Sequence, residues 1–371
     1  MKRIVIIGGG LAGLISAIKL ARAGVECQVI EKKSYPFHRV CGEYISNEVV
    51  PFLQASGLYP DQFEPPQIRR FMLSSTSGRA ETIPLDLGGF GISRYTYDTF
   101  LFEEAKKSGV QFFLNTEAQK VKFFDNRFEI ETTEQKLIAD VVIGAFGKRS
   151  KLDVTLNRDF VQKRSPYVGV KYHVRTEHPI DLIALHNFPG GYCGISHVEG
   201  GKSNLCYLTH RRNLKEHKNI HDMERNILYQ NPLLRSLFTQ AEFLMNQPET
   251  INEISFETKS PVQNHILMAG DSAGMITPLC GNGMAMAIHA AKILSELVIQ
   301  YCQDISFTRE QLEKRYSDLW NQNFSTRLWV GRQIQKLFGN TITSSIAVNL
   351  AVYIKPVANI MMKASHGKPF T

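Results

Sequence analysis

Runs of consecutive apolar residues alternate with helical spacing at the start of the chain. Ile4-Val5-Ile6-Ile7 has no polar position, the pattern of a strand covered on both faces. Apolar residues then recur at helical spacing as far as Ala23, and residues 25–30 return to strand texture before Glu31. Two later runs, at 141–144 and 266–269, repeat the buried-strand pattern. These pieces predict one parallel sheet assembled from separated parts of the chain. The intervening patterns differ. Residues 32–70 read as a long connection with two short helical stretches. Residues 71–86 read as a hairpin turning at Ser77-Gly78, and a helix is expected over 94–108. Segments 110–114, 119–124 and 127–131 read as a meander, with a turn at Asp125-Asn126. Alternating residues with glycine turns over 166–209 predict an antiparallel sheet. Residues 220–245, 284–299 and the rest of the chain read as helical.

The expected organisation is therefore α/β and discontinuous. Parts 1–70, 94–160 and 261–302 form one domain. The hairpin 71–93 and residues 161–260 form a second, antiparallel domain, and 303–371 is a helical cap. A length of 371 residues suits two domains. Hydrophobic content of 43% and charged content of 21% describe a globular protein that folds in water. The run at 4–7 is too short for a secretory leader and enters a glycine turn directly, so none is expected. The six cysteines form no CxxC pair and no metal spacing, which predicts free thiols, a reducing cytoplasmic setting and no metal.

The net charge of +8 is uneven. No acidic residue follows Asp318, whereas Arg327, Arg332, Lys336, Lys355, Lys363 and Lys368 do. The same stretch contains an apolar run at 346–354, too short to span a bilayer. Two readings follow: a helical cap with its lysines in water, or weak peripheral contact with an anionic membrane face. Basic residues without interleaved aromatics argue against nucleic acid.

Gly8-Gly9-Gly10-Leu11-Ala12-Gly13 sits between the first strand and the first helix. Gly8 permits a tight turn, Gly10 lets a pyrophosphate approach the backbone, and Gly13 lets the helix pack close to the sheet. The helix start adds free N–H groups and partial positive charge. Glu31 lies 18 residues after Gly13, where a carboxylate can bind ribose hydroxyls. A second constellation is Gly270-Asp271-Ser272-Ala273-Gly274, followed by Pro278-Leu279-Cys280-Gly281-Asn282-Gly283-Met284. There a strand ends in a carboxylate, and a loop enters a helix through two glycines.

Together these motifs resemble the FAD-dependent p-hydroxybenzoate hydroxylase superfamily, which includes aromatic hydroxylases, flavin halogenases and geranylgeranyl reductases. The resemblance implies a Rossmann-like FAD-binding domain of the GR2 type, an antiparallel β-sheet substrate domain, a helical C-terminal region and noncovalent FAD. It places Gly8, Gly10, Gly13 and Glu31 on the ADP half, with Leu11, Ala12 and Lys32 among the cofactor contacts. Asp271 would hold the ribityl chain. Gly281, Asn282 and Gly283 would face the flavin pyrimidine edge, and Gly270, Pro278 and Met284 are further cofactor contacts. Arg39, Val40, Arg94, Ala145 and Gly147 complete the implied cofactor contacts. One departure is Phe146, which stands where the hydroxylases carry an aspartate used for FAD and NADPH. With no second GxGxxG in the chain, NAD(P)H as direct reductant is in doubt.

Arg39-Val40-Cys41-Gly42-Glu43 resembles the cysteine-glycine segment beside the flavin in geranylgeranyl reductases. The resemblance implies that Cys41 relays a proton to a substrate carbon, with His38 and Glu43 as flanking donors. The alternative is that Cys41 is a small packing residue in a loop that covers the flavin. In the second domain, Gly191 and Tyr192 match the prenyl-reductase segment. Its tryptophan is missing and Ser196-His197 replaces Phe-Pro, so the pocket, with Tyr192, His197 and Cys280, has diverged. Trp320 and Trp329 fall outside any halogenase-type WxWxIP motif. His173, His186, His197 and His210 show no paired spacing with carboxylates and read as structural or pocket-lining groups. The function expected is a FAD-dependent oxidoreductase exchanging hydride with an apolar, lipid-like or aromatic small molecule. The alternatives are an aromatic monooxygenase, an electron-transfer flavoprotein to quinone served by a redox partner, and a non-catalytic flavin-binding protein.

Overall fold

A computed structural model describes residues 2–163, 165–252, 254–278, 281–337 and 367–371. Cys280, Lys355, Lys363 and the apolar run 346–354, all singled out above, lie outside the described residues.

The first apolar run forms β1 (Ile4–Ile7), inside a sheet of six strands among the described residues. β1 pairs in parallel with Val141–Gly144 on one side and with β2 (Cys27–Ile30) on the other. Ile266–Met268 adds a further parallel strand, and Val262–Gln263 closes that edge antiparallel. Every residue of β1 is at most 4% exposed, as an all-apolar strand between two layers must be. Between β1 and β2, α1 (Leu11–Arg22) packs against Gly283–Gln303 and Arg94–Lys107.

The expected meander is revised. Gln111–Phe113 leaves it and pairs in parallel with β2 at the other edge of the main sheet. Phe112 there meets Phe102 edge-on at 4.7 Å, an aromatic contact the meander would not provide. The meander consists of Ala118–Phe124, Arg127–Thr132 and Lys136–Ala139. Asp125 and Asn126 both have positive φ, the conformation a tight hairpin turn requires.

Among the described residues the second sheet has nine strands. Tyr167–Arg175, Lys202–His210, Gly191–Val198 and Leu182–Phe188 are antiparallel neighbours. The hairpin is longer than expected, Gln67–Ser74 with Ala80–Gly91, and it joins this sheet through a parallel pairing to Leu182–Phe188. Tyr44–Ser46, inside the segment read as a connection, supplies the last strand. Helices Ile220–Asn226 and Pro232–Gln240 cover one face through Met223, Leu234 and Phe238. The other face is left to line a cleft.

Helix Arg309–Leu337 packs Trp320, Phe324 and Leu328 into the main core. Among the described residues, no helix is long and apolar enough to cross a membrane.

Candidate functional site

A cleft of about 560 Å³ opens between the two sheets, within the range of small-molecule and cofactor sites. The glycine turn forms one end. Gly8 has φ +108°, and a Cβ there would overlap the Ala145 carbonyl. A Cβ at Gly13 would overlap the Gly8 carbonyl, so only glycine lets α1 start this close to β1. Gly13 itself stays beneath the cleft, while Gly8, Gly10, Leu11 and Ala12 line it. Glu31 lines the same end and is 4% exposed. Its carboxylate accepts from the N–H of Gly9 at 2.9 Å and of Lys33 at 3.1 Å. Lys32 stands at the rim.

The opposite wall is the second constellation. Gly270 (φ +63°), Asp271, Pro278, Gly281, Asn282, Gly283 and Met284 all line the cleft. Lys259 ties this wall to the loop after Val141–Gly144. Its Nζ donates to the carbonyls of Asp271 and Lys148, each at 2.8 Å. Burial pulls this ammonium down to about 8, against the upward pull of Asp153 and Asp271. Ser272 Oγ accepts from the Gly147 N–H at 2.9 Å, which places Ala145 and Gly147 in the lining. The starts of α1 and of Gly283–Gln303 thus open onto one cavity, and neither carries a side-chain cap among the described residues. Free helix N–H groups at both ends and glycines where a side chain would intrude fit a dinucleotide.

Residues 39–43 cross the cleft as a strap. The Arg39 carbonyl accepts from Lys171 Nζ at 3.2 Å, the Val40 carbonyl from Lys148 Nζ at 3.0 Å, and the Cys41 carbonyl from Asn204 Nδ2 at 3.1 Å. The Arg39 guanidinium bridges Glu31 at 3.2 Å and Asp98 at 3.0 Å. Asp98 also takes both Arg94 donors, at 2.6 and 2.7 Å. Arg94 consequently stands over the glycine turn, with Nη2 3.4 Å from where a Gly10 Cβ would be. Three successive carbonyls held by distant side chains fix Cys41 in the cleft lining, partly buried.

The two flanking donor assignments are corrected. Glu43 is wholly buried, has φ +55°, and ends the strap in an ion cluster. Oε1 accepts from Lys171 Nζ at 2.5 Å and from the Arg94 N–H at 2.8 Å, and Oε2 pairs with His173 Nε2 at 2.7 Å. Burial raises its pKa, but Lys171 and His173 prevail and hold it at about 2. It is an ionised acceptor that carries no proton to donate. His38 is pulled down to about 4, by burial first and then by Lys171, so at neutral pH it has no imidazolium proton.

Beyond the strap the cleft runs along the antiparallel sheet. Leu185, Tyr192, Leu208, Ile254 and Met275 form an apolar cluster there. Asn204 Oδ1 is buried in this lining without a partner among the described residues. His197, expected in the pocket, lies outside the lining. Its Nε2 donates to the His178 carbonyl at 2.7 Å and its Nδ1 accepts from Ser203 Oγ at 3.3 Å, so both ring nitrogens serve the sheet.

Lys148, Lys171, His173, Asp98 and Asn204 had not been singled out for the strap. Lys171 and His173 had a sequence signal: polar residues at alternate positions of the apolar strand Tyr167–Arg175, pointing to one face. Their partner Glu43 is 128 and 130 positions away, so no local spacing could pair them.

The chain aligns with the Methanopyrus kandleri protein named digeranylgeranylglycerophospholipid reductase 2, 24% identical over 90% of this chain and 86% of that one. A Thermoplasma acidophilum structure described as geranylgeranyl bacteriochlorophyll reductase-like superposes with a TM-score of 0.76 at 16% identity. It covers 98% of this chain and 95% of that one. A flavin-dependent brominase superposes with a TM-score of 0.77 at 17% identity, covering 98% and 93%. The profile of the FAD binding domain family matches residues 1–303. Such a match, on a chain whose glycine turn, Glu31 and Asp271 wall one cleft, places this protein in the FAD binding domain family, as a FAD-dependent oxidoreductase.

Proposed function

We propose that this oxidoreductase transfers hydride between FAD and an apolar, lipid-like substrate, as a reductase of unsaturated isoprenoid lipids would. The observation that carries the reading is continuity. The cavity that begins at the glycine turn passes the Cys41 strap and ends on the apolar wall of Leu185, Tyr192, Leu208, Ile254 and Met275. An apolar chain lying on that wall brings its reacting carbons to the strap. The isoprenoid lipid in the name of the Methanopyrus relative supports the same substrate class.

When bound, FAD supplies the hydride chemistry. The chain supplies placement and a proton. The start of α1 and Glu31 hold the adenosine and pyrophosphate half, and Asp271 holds the ribityl chain. The turn entering Gly283–Gln303 offers positive potential at the flavin edge. The Cys41 thiol holds a proton at Sγ for the substrate carbon, and the apolar wall keeps water out. Phe146 lines the cleft where the hydroxylases carry an aspartate, which favours an electron donor other than NADPH.

Dithionite-reduced protein mixed anaerobically with an unsaturated isoprenoid glycerolipid tests the reading. The expected product carries one added hydrogen pair per double bond reduced. A product formed only with oxygen and carrying an added oxygen atom establishes the monooxygenase alternative instead. Electron delivery to a quinone analogue, with the lipid unchanged, establishes the carrier.

A further inference from the structure

Glu48 belongs to none of the motifs above, yet its buried carboxylate joins three distant parts of the chain. It is 0% exposed. Oε1 accepts from Arg327 Nη1 at 3.1 Å and from Asn282 Nδ2 at 3.4 Å, and Oε2 accepts from the Gly367 N–H. The backbone carbonyl of Glu48 accepts from the Phe370 N–H at 3.2 Å. The Phe370 ring stacks on His289 at 3.9 Å and 14°, with Phe52 at 5.8 Å. Residues 367–370 therefore form a clip that grips Glu48 at both ends. The seat is specific, because a Cβ at Gly367 would overlap the Arg327 guanidinium and lie 2.5 Å from Glu48 Oε2.

The clip reaches one helix twice. Phe370 rests on His289, within Gly283–Gln303, and Glu48 accepts from Asn282, the residue that immediately precedes the helix and makes no side-chain capping bond to it. Asn282 and Gly283 line the cleft at the wall assigned to the flavin edge. The Asn282 amide, which lines the cleft at the helix start, is thus held by a carboxylate that the clip covers. A hydrogen bond to a carboxylate is strongest where water is kept away. Opening the clip admits water to Glu48 as a competing donor and loosens Asn282.

We propose that Glu48 is a positioning residue for the FAD site and that residues 367–370 are the device that keeps it effective. The proposal rests on the assignment of the 281–284 wall to the flavin. Arg327 supplies the compensating charge, and its side chain is 13% exposed against 0% for Glu48.

The test uses the full chain with Gly367→Ala, Phe370→Ala and Glu48→Gln, read by FAD dissociation constant, flavin midpoint potential and melting temperature. In all three, FAD affinity is expected to fall about tenfold, equivalent to about 1.4 kcal/mol. In Gly367→Ala and Phe370→Ala, which keep the Glu48 charge, the reduced cofactor should lose about tenfold more affinity than the oxidised one, because an N–H donor held at a helix start favours negative charge. That difference is a shift of about 30 mV to more negative potential. Wild-type affinity and potential in both Gly367→Ala and Phe370→Ala overturn the proposal. A loss of FAD that only follows a lowered melting temperature, with the potential unchanged, also overturns it. If Asp271→Ala leaves FAD affinity intact, the assignment of that wall fails instead, and that outcome is separate from these.

Discussion

The glycine turn at 8–13 and the strap at 39–43 wall the same cleft and are built in opposite ways. The turn is made of backbone. Its shape comes from residues that lack a Cβ, its packing from contact with Ala145 and Gly8 itself, and its binding groups from the N–H donors of α1. The strap is held by side chains from elsewhere: Asp98, Lys148, Lys171, His173 and Asn204. A binding element made of backbone needs only the right glycines in a row. One made of side chains needs the whole fold to deliver them. The first should fail by steric exclusion, and the second by leaving a buried charge without its partner.

The largest effect on flavin binding is expected at the turn. Gly13→Val puts atoms where the Gly8 carbonyl stands. Overpacking of this kind costs about 1–3 kcal/mol or more, and the movement it forces opens the pyrophosphate end. The variant should purify without flavin colour; a fully yellow protein would show that the turn tolerates displacement.

At the strap, Lys171→Met deprives the buried Glu43 carboxyl of its ammonium partner, with both side chains 0% exposed. Removing one partner of a buried pair costs about 3–5 kcal/mol, readable by urea denaturation. Lys171→Met with Glu43→Leu should recover part of that loss, since no charge is then stranded. No recovery would mean that the pair serves packing rather than charge balance.

Cys41→Ser separates chemistry from binding. FAD should stay bound, because the strap is held by its carbonyls and not by the thiol. If Cys41 relays the proton, product formation after flavin reduction should slow about 10²-fold. An unchanged rate returns Cys41 to a covering role.

Acid probes three histidines, of which His186 is buried and His38 and His289 are half-buried. Burial pulls His38, His186 and His289 from 6.5 down to about 4. Between those values the unfolded chain takes up protons that the folded chain refuses, so stability is full above about pH 6.5 and falls toward pH 4. His186, at 6% exposed, should contribute most, on the order of 1.4 kcal/mol per pH unit in that window. Denaturation at several pH values with and without His186→Gln measures its share; identical curves would remove it.

The smallest effect concerns the membrane. Arg327 is engaged by Glu48, so it is not among the charges available to a lipid surface. Trp329, 57% exposed, and Lys368 remain on the described surface. Each basic residue near an anionic surface contributes about 1 kcal/mol, screened by salt. Weak flotation with anionic vesicles at low salt, lost at high salt and absent with neutral vesicles, is the expected pattern. No binding at low salt makes this region a structural cap.

Sequence alone determined what depends on neighbouring residues. The apolar runs determined the central strands of the parallel sheet, and the spacing from Gly8 to Glu31 picked out residues that line one end of the cleft. The Asp125-Asn126 turn was legible because both residues tolerate positive φ. Tertiary structure decided where Gln111–Phe113 pairs, because edge pairing turns on the contact of Phe112 with Phe102. It also decided that Glu43 is an anchored carboxylate and not a proton donor. A carboxyl's proton depends on the charges within a few ångströms, and here those arrive from a strand 128 positions away. His197 was misplaced for the same reason: the sequence shows which strand carries a side chain, but only the packed sheet shows which nitrogen finds a carbonyl.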